Sequence, residues 1–394
     1  MKWTSTVGRL MAGVLGAGIA LTAAAQAQRG VTKDEILLGS ILDLSGPITY
    51  AGKRTRDGLM MRIDEINASG GINGRKVRLI VEDHGYEPKR AVLAAQKLVN
   101  NDKVFAVLFH QGSAHNIATM PILFDNKVIN FMPGAGARQM FEPPERLKIA
   151  LTPSYFDQIA VGVRHLVAQK KDAKVCAIYQ DDEFGMEHVR GAEEALKRLN
   201  MNMGERTSFK RGATDFSSQV SRLKGAGCTL VVVGNPVRET VGIMNEARKV
   251  GFNADFLGGE ASYDVSMFQL GGRAVEGFYC MHLMEAPVAD ARSERMRKWF
   301  AAYKAKYGED PGQNSIYAYY TMDIFAQAAK KAGPNLTTDS FLNAMDTTRF
   351  PNTFGGPDYS VDKTNRLGIR EFMMSQVHNG KWSLLASGLK GDKK

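Results

Sequence analysis

Short continuous apolar runs alternate along this chain with longer segments whose apolar residues recur every third or fourth position, a strand–helix rhythm. Ile36–Leu44 (ILLGSILDL) reads as a strand ending in the turn Ser45-Gly46-Pro47, followed by a helix over Lys53–Asn67 with Leu59, Met60, Ile63 and Ile66 on one face. Gly70-Gly71 stop that helix, Lys76–Asp83 is the next strand, and Pro88 is placed as the first helical residue of Pro88–Asn101. Val104–Ala137 then holds an apolar strand, the polar turn His110-Gln111-Gly112-Ser113, a helix, a second strand and the turn Gly134-Ala135-Gly136-Ala137. Alternation at this spacing predicts an α/β fold with a parallel sheet covered by helices on both faces. Both turns would emerge at strand carboxyl ends, where open α/β sheets keep their ligand crevices.

The rhythm breaks at Leu147–Pro153 and restarts. Helices are predicted over Tyr155–Ala168, Gly185–Asn200, Phe216–Lys224 and Val237–Val250, with strands at Lys174–Tyr179, Thr229–Gly234, Ala254–Gly258 and Val275–Met281. Further helices follow at Asp290–Tyr307, Asn314–Lys331 and Asp339–Ala344, and the tail Gly355–Trp382 reads as β structure containing a strand at Glu371–Val377. The pattern predicts two α/β lobes with chain that crosses between them.

Composition changes this picture little, but the N-terminus and the charge add to it. Lys2 and Arg9 precede the apolar run Leu10–Ala25, and Ala25-Gln26-Ala27 fits a cleavage site, so Met1–Ala27 reads as a secretory signal peptide. The run is too short and too Ala-rich for an anchor, and a soluble, exported product is expected. Removing the two basic residues of the leader takes the formal charge from +10 to +8. Those charges are scattered among acidic neighbours, as in Lys53–Glu65, which argues against a nucleic-acid surface. Cys176, Cys228 and Cys280 have no metal-ligand spacing; either Cys176 and Cys228, each at the start of an apolar strand, form one disulfide, or all three are buried thiols.

The residues also carry a family resemblance. ILLGSILDLSGPITYAGKRTRDGLMMRIDEINASGGINGRKVRLIVEDHGYEPKRA resembles the N-terminus of the leucine/isoleucine/valine-binding proteins, and IYQDDEFG, GATDFSSQVSRLKGAG, FLGGEASYD and AVEGFYC extend the similarity along the chain. These are type I periplasmic solute-binding proteins of ABC importers. The resemblance implies two Rossmann-like lobes joined by three crossovers, here near Ala150–Pro153, Met281–Leu283 and Phe350–Gly355. Gly30–Ala150 with His282–Phe350 would form lobe one, and Leu151–Met281 with Pro351–Lys394 lobe two. It also implies a monomer that binds a small-molecule ligand in the cleft, closes by a hinge motion and docks on an inner-membrane ABC permease, with no cofactor.

Carried over position by position, the family's carboxylate site matches Ser113, where a hydroxyl meets the positive end of a helix, and the turn of Ala135 and Gly136. Gly136 stands where a hydroxyl is usual, leaving backbone donors. Ser113 could instead simply cap its helix. The ammonium partner matches Glu260, which could otherwise be an N-cap. Phe184 and Asn235 replace cleft tyrosines, His110 and Gln111 add polar groups, and Tyr50, Tyr155 and Tyr317 are candidate cleft aromatics. The expected ligand is a small amino acid or related carboxylate, with an aromatic acid, another carboxylate or an amide as the alternative. A ligand-sensing receptor domain shares the fold. An enzyme is disfavoured: the chain carries no G-x-S-x-G elbow, complete G-x-G-x-x-G, P-loop or His-rich metal spacing, and His84, His110 and His115 form no catalytic pattern.

Overall fold

The computed structural model describes Met1, residues 28–170 and residues 172–391. Apart from Met1, the predicted leader lies outside the described residues. The described residues build two sheets. In the first, β1 (Glu35–Leu42), β2 (Lys76–Asp83), β3 (Ala106–Leu108), β4 (Ile129–Phe131) and β5 (Lys148–Ile149) run parallel in the order β2-β1-β3-β4-β5. Every residue of β1 from Ile36 to Leu42 is buried, as expected of a strand covered by helices on both faces. The helices are α1 (Thr49–Ala68), α2 (Pro88–Gln96, ending in a π-helical turn over Lys97–Asn101) and α3 (Ser113–Asp125).

The chain then enters a second lobe through α4 (Tyr155–Val167), β6 (Val175–Gln180), α5 (Glu183–Arg198), β7 (Arg206–Phe209), α6 (Ser217–Gly225), β8 (Leu230–Gly234), α7 (Val237–Lys249), β9 (Asp255–Gly258), α8 (Ser266–Gly271) and β10 (Tyr279–His282). It returns to the first sheet as α9 (Glu294–Tyr307), α10 (Gln313–Ala332) and α11 (Thr338–Asp346). Phe325 and Phe341 of these helices meet Phe105 and Phe131 edge-on, with ring centroids 5.5–6.1 Å apart, and fix α10 and α11 to the first sheet. Finally β11 (Glu371–His378) and β12 (Lys381–Lys390) add an antiparallel edge, giving a seven-stranded sheet β12-β11-β10-β9-β8-β6-β7.

Three expectations change. The segment 351–369 stays with the first lobe rather than the second: Leu367 pairs parallel with Ala150 beside β5. Behind that bridge, Arg366, 1% exposed, donates to the carbonyls of Lys148 and Arg146 and to Asp346. The third passage between the sheets therefore falls just before β11, not at Phe350–Gly355. Leu199, which the apolar spacing of the predicted helix Gly185–Asn200 turns inward with Val189, Ala192 and Leu196, instead caps the end of α5 and is exposed. Cys176 and Cys228 are joined in a disulfide between the starts of β6 and β8, leaving Cys280 as a buried thiol and setting aside the three-thiol alternative. Among the described residues no helix is long and apolar enough to cross a membrane.

Candidate ligand-binding cleft

Between the two sheets lies a cavity of about 80 Å³, room for several waters or one small organic molecule. The turns after β1, β2, β3 and β4 face it from one side, those after β8 and β9 from the other. Of the residues singled out from the sequence, Tyr50, Gln111, Ser113, Ala135, Tyr155, Phe184, Glu260 and Tyr317 line this cavity. Gly136, His110 and Asn235 do not.

The first-lobe wall places an unpartnered hydroxyl at the start of a helix. Gly112, at φ 95°, is the residue before α3 and carries no side chain to cap it. Ser113 is therefore the first helical residue, not a cap, and is 2% exposed. Its Oγ finds no hydrogen-bond partner among the described residues. Gly112 N donates to Gly134 O at 3.1 Å, so the turns after β3 and β4 are stitched together beside that hydroxyl. Gly136 serves the site from behind: its carbonyl accepts from Tyr155 N at 2.7 Å, and a Cβ there would meet the Tyr155 ring at 3.0 Å. The loss of a hydroxyl at this position thus makes space for an aromatic wall from the second lobe.

Glu260 faces the cavity from the second sheet, in a short turn directly after β9; Gly259, not Glu260, occupies the N-cap position. Its backbone N–H donates to Gln158 Oε1 at 2.9 Å, and Gln158 is itself anchored on Pro153 O at 3.0 Å. Glu260 Oε2 is shielded from solvent without a hydrogen-bond partner among the described residues. Burial pushes this carboxyl up to about 8, against the opposing pull of the Thr152 side chain. The phenols of Tyr155 and Tyr317 are raised well above their ordinary value, first by burial and then by the nearby Glu260 charge. Phe184 packs edge-on against Tyr155 at 5.0 Å, so it works as apolar wall.

Sequence reasoning missed Tyr86, Thr152, Gln313 and Asn314 in the lining. Tyr86 follows β2 in a left-handed conformation (φ 62°), at the strand end equivalent to the turns that were recognised. That equivalence was the available signal. Its hydroxyl accepts from Gln180 Nε2 at 3.3 Å, and Arg211 lies over its ring at 5.1 Å, both from the second lobe. Tyr86 also stacks on His115 (5.0 Å), which stacks on His84 (4.4 Å). Burial holds His84 down at about 3 and His115 at about 4, so near neutral pH they form an uncharged floor. His110, fully buried, contacts Thr119 beneath the cavity. Asn235 bonds Thr240 behind it, leaving Pro236 to line the wall.

Two sheets whose strand-end turns close on one small cavity, with an unpaired hydroxyl on one side and an unpaired carboxyl on the other, define a cleft-type small-molecule binding protein. The family model described as periplasmic binding protein matches residues 35–381, and the chain belongs to that family. Its members bind solutes and are not enzymes. Among curated proteins, the Leu/Ile/Val-binding protein of Escherichia coli (strain K12) is 26% identical over 328 residues, 82% of this chain and 87% of its own length. Among solved structures, a fatty acid ABC transporter substrate-binding protein from Thermomonospora curvata superposes with a TM-score of 0.83 at 22% identity, covering 93% of this chain and 95% of that one. A solute-binding protein of an ABC transporter from Rhodopseudomonas palustris BisB5, in complex with 3,4-dihydroxybenzoic acid, gives 0.80 at 20% identity, covering 91% and 98%. The fold is that of the type I periplasmic binding proteins.

Proposed function

We propose that this chain is the substrate-binding component of an ABC importer, capturing a small amino acid in the interlobe cavity as a monomer and presenting the closed form to an inner-membrane permease. The observation that carries the reading is the pairing of unsatisfied groups across one cavity: Ser113 Oγ at the start of α3 and Glu260 Oε2 after β9. A zwitterion answers both. Its carboxylate accepts from the Ser113 hydroxyl and the free amides of the first turn of α3, stabilised by the helix dipole. Its ammonium pairs with Glu260 and draws the carboxyl into the ionised form. Closure then removes both ends of the zwitterion from water, and the difference in affinity between open and closed forms drives the population toward closed.

The kinship with the Escherichia coli Leu/Ile/Val-binding protein supports an amino-acid ligand. A second reading, an aromatic carboxylic acid, draws on the ring-rich walls of Tyr50, Tyr86, Phe109, Tyr155, Phe184 and Tyr317 and on the dihydroxybenzoate bound by the Rhodopseudomonas palustris protein. Thermal-shift screening of the mature protein against amino acids, aromatic acids, dicarboxylates and amides separates the two. Stabilisation by amino acids supports the first, and stabilisation confined to aromatic acids replaces it with the second. Turnover of a substrate without any stabilising small molecule would refute both.

A further inference from the structure

Helix α10 begins without a cap of its own. Gly312 precedes it and has no side chain, and Ser315 supplies only the return half of a capping arrangement, its Oγ accepting from Gly312 N at 3.0 Å. The missing acceptor comes from the other lobe. Asp264, between β9 and α8, accepts from Gln313 N on Oδ2 at 2.8 Å and from Arg54 Nη1 on Oδ1 at 3.0 Å. Ser266 N and Oγ fix the same carboxylate at 2.8 and 2.7 Å. Arg54 is 8% exposed and Asp264 2%.

The first lobe prepares this contact. Gly58, one turn beyond Arg54 in α1, lets the helix approach α10 so closely that a Cβ would lie 2.1 Å from the Ser315 carbonyl oxygen. That approach sets the Arg54 guanidinium beside the positive end of a 20-residue helix, two features of like sign. A side chain at position 312 would collide with Asp264 Oδ2 at 2.5 Å, so the glycine that forgoes a cap also makes room for the borrowed one. Gln313, Asn314 and Tyr317 follow directly and line the ligand cavity, as does Glu260 four residues before Asp264.

We propose that Asp264 is an interlobe latch: its joint bond to Arg54 and to the N-terminus of α10 holds part of the unliganded protein closed and positions the cavity face of α10. In an opened cleft both partners return to water, whereas removing one partner from the closed form strands a buried charge. The latch acts on the closing motion of the proposed function, and its test uses no ligand, so either idea can fail without the other.

Cysteines replacing exposed Lys89 and Lys210, one on each lobe, take spin labels for pulsed-EPR distances in the unliganded protein. Cys176 and Cys228 are paired and Cys280 is buried, so the labels stay at the introduced sites. The wild type is expected to show a short-distance population. Asp264→Asn and Arg54→Gln should each lower the closed-to-open ratio roughly tenfold, while Arg54→Lys retains most of it. Hydrogen exchange in the first turn of α10 should quicken in Asp264→Asn. Identical distance distributions in wild type and both charge-removing variants, whether all open or all closed, would overturn the latch. A lowered melting temperature with unchanged distances would reduce Asp264 to a structural residue and overturn it equally.

Discussion

Burial pushes the Glu260 carboxyl up to about 8 with the lobes together, and the opening motion of the proposed function would return it to water and its ordinary value. Between those values closing takes up a proton, so closing an empty cleft becomes less favourable as pH rises through that window, by up to about tenfold per pH unit. Glu187, raised to about 7 mainly by burial and accepting from Arg138 N across the lobes, adds a dependence of the same sign. The short-distance fraction measured by pulsed EPR should therefore fall from about pH 5 to about pH 8, and Glu260→Gln should flatten it in part. A ligand ammonium supplies the counter-charge and removes the Glu260 contribution. The same variant should weaken an amino-acid ligand roughly 100-fold and a plain carboxylate little. Ser113→Ala removes one bond to a charged group and should cost about 10- to 100-fold in affinity for either. Isothermal titration reads both variants. At this scale the sequence marked Ser113 and Glu260 through their family positions, but not Tyr86 or Gln158. Gln158 acts only by holding the Glu260 backbone, a contact formed across the lobe by residues far apart in the chain.

Elements were the most legible level, because burial on both sheet faces writes long apolar strands. β2 falls at the predicted bounds, and α4, α5 and α7 within a few residues of theirs. β5 and β7 were missed for physical reasons. β5 is two residues long, and β7 reads Arg-Thr-Ser-Phe, an edge strand with only two buried positions. The third passage was misplaced because Arg366 is a buried arginine, and a polar stretch gives no hint that its guanidinium ties three carbonyls and one carboxylate together. Helix approach has its own test. Gly58→Ala should push α1 from α10 and cost about 1–3 kcal/mol in chemical denaturation, with a loss of closed population if Arg54 is displaced. The Cys176–Cys228 bond spans 52 residues of sequence at the strand ends away from the cavity. Replacing both cysteines with alanine should cost about 2–4 kcal/mol of stability and leave ligand affinity unchanged.

On the scale of the whole molecule, the sequence pattern predicted two α/β lobes with chain crossing between them, and the family resemblance added that there are three crossovers and a shared cleft. What it could not supply was the closed arrangement itself. Interlobe contacts such as Arg54–Asp264, Tyr86–Arg211 and Tyr155–Gly136 join residues more than one hundred positions apart or from unrelated turns. They depend on how the lobes meet, which no local pattern encodes. These contacts surround the cavity, so under the proposed function closure, ligand capture and the shape offered to a permease would be one event. The central claim is that this cavity takes a zwitterion between Ser113 and Glu260. It is tested most directly by isothermal titration of matched pairs, L-leucine with 4-methylpentanoate and L-phenylalanine with 3-phenylpropanoate. At least one amino acid should bind in a 1:1 ratio and at least roughly tenfold more tightly than its partner lacking the amino group. Equal or tighter binding of the plain acids, or no saturable binding by any of the four, would contradict it.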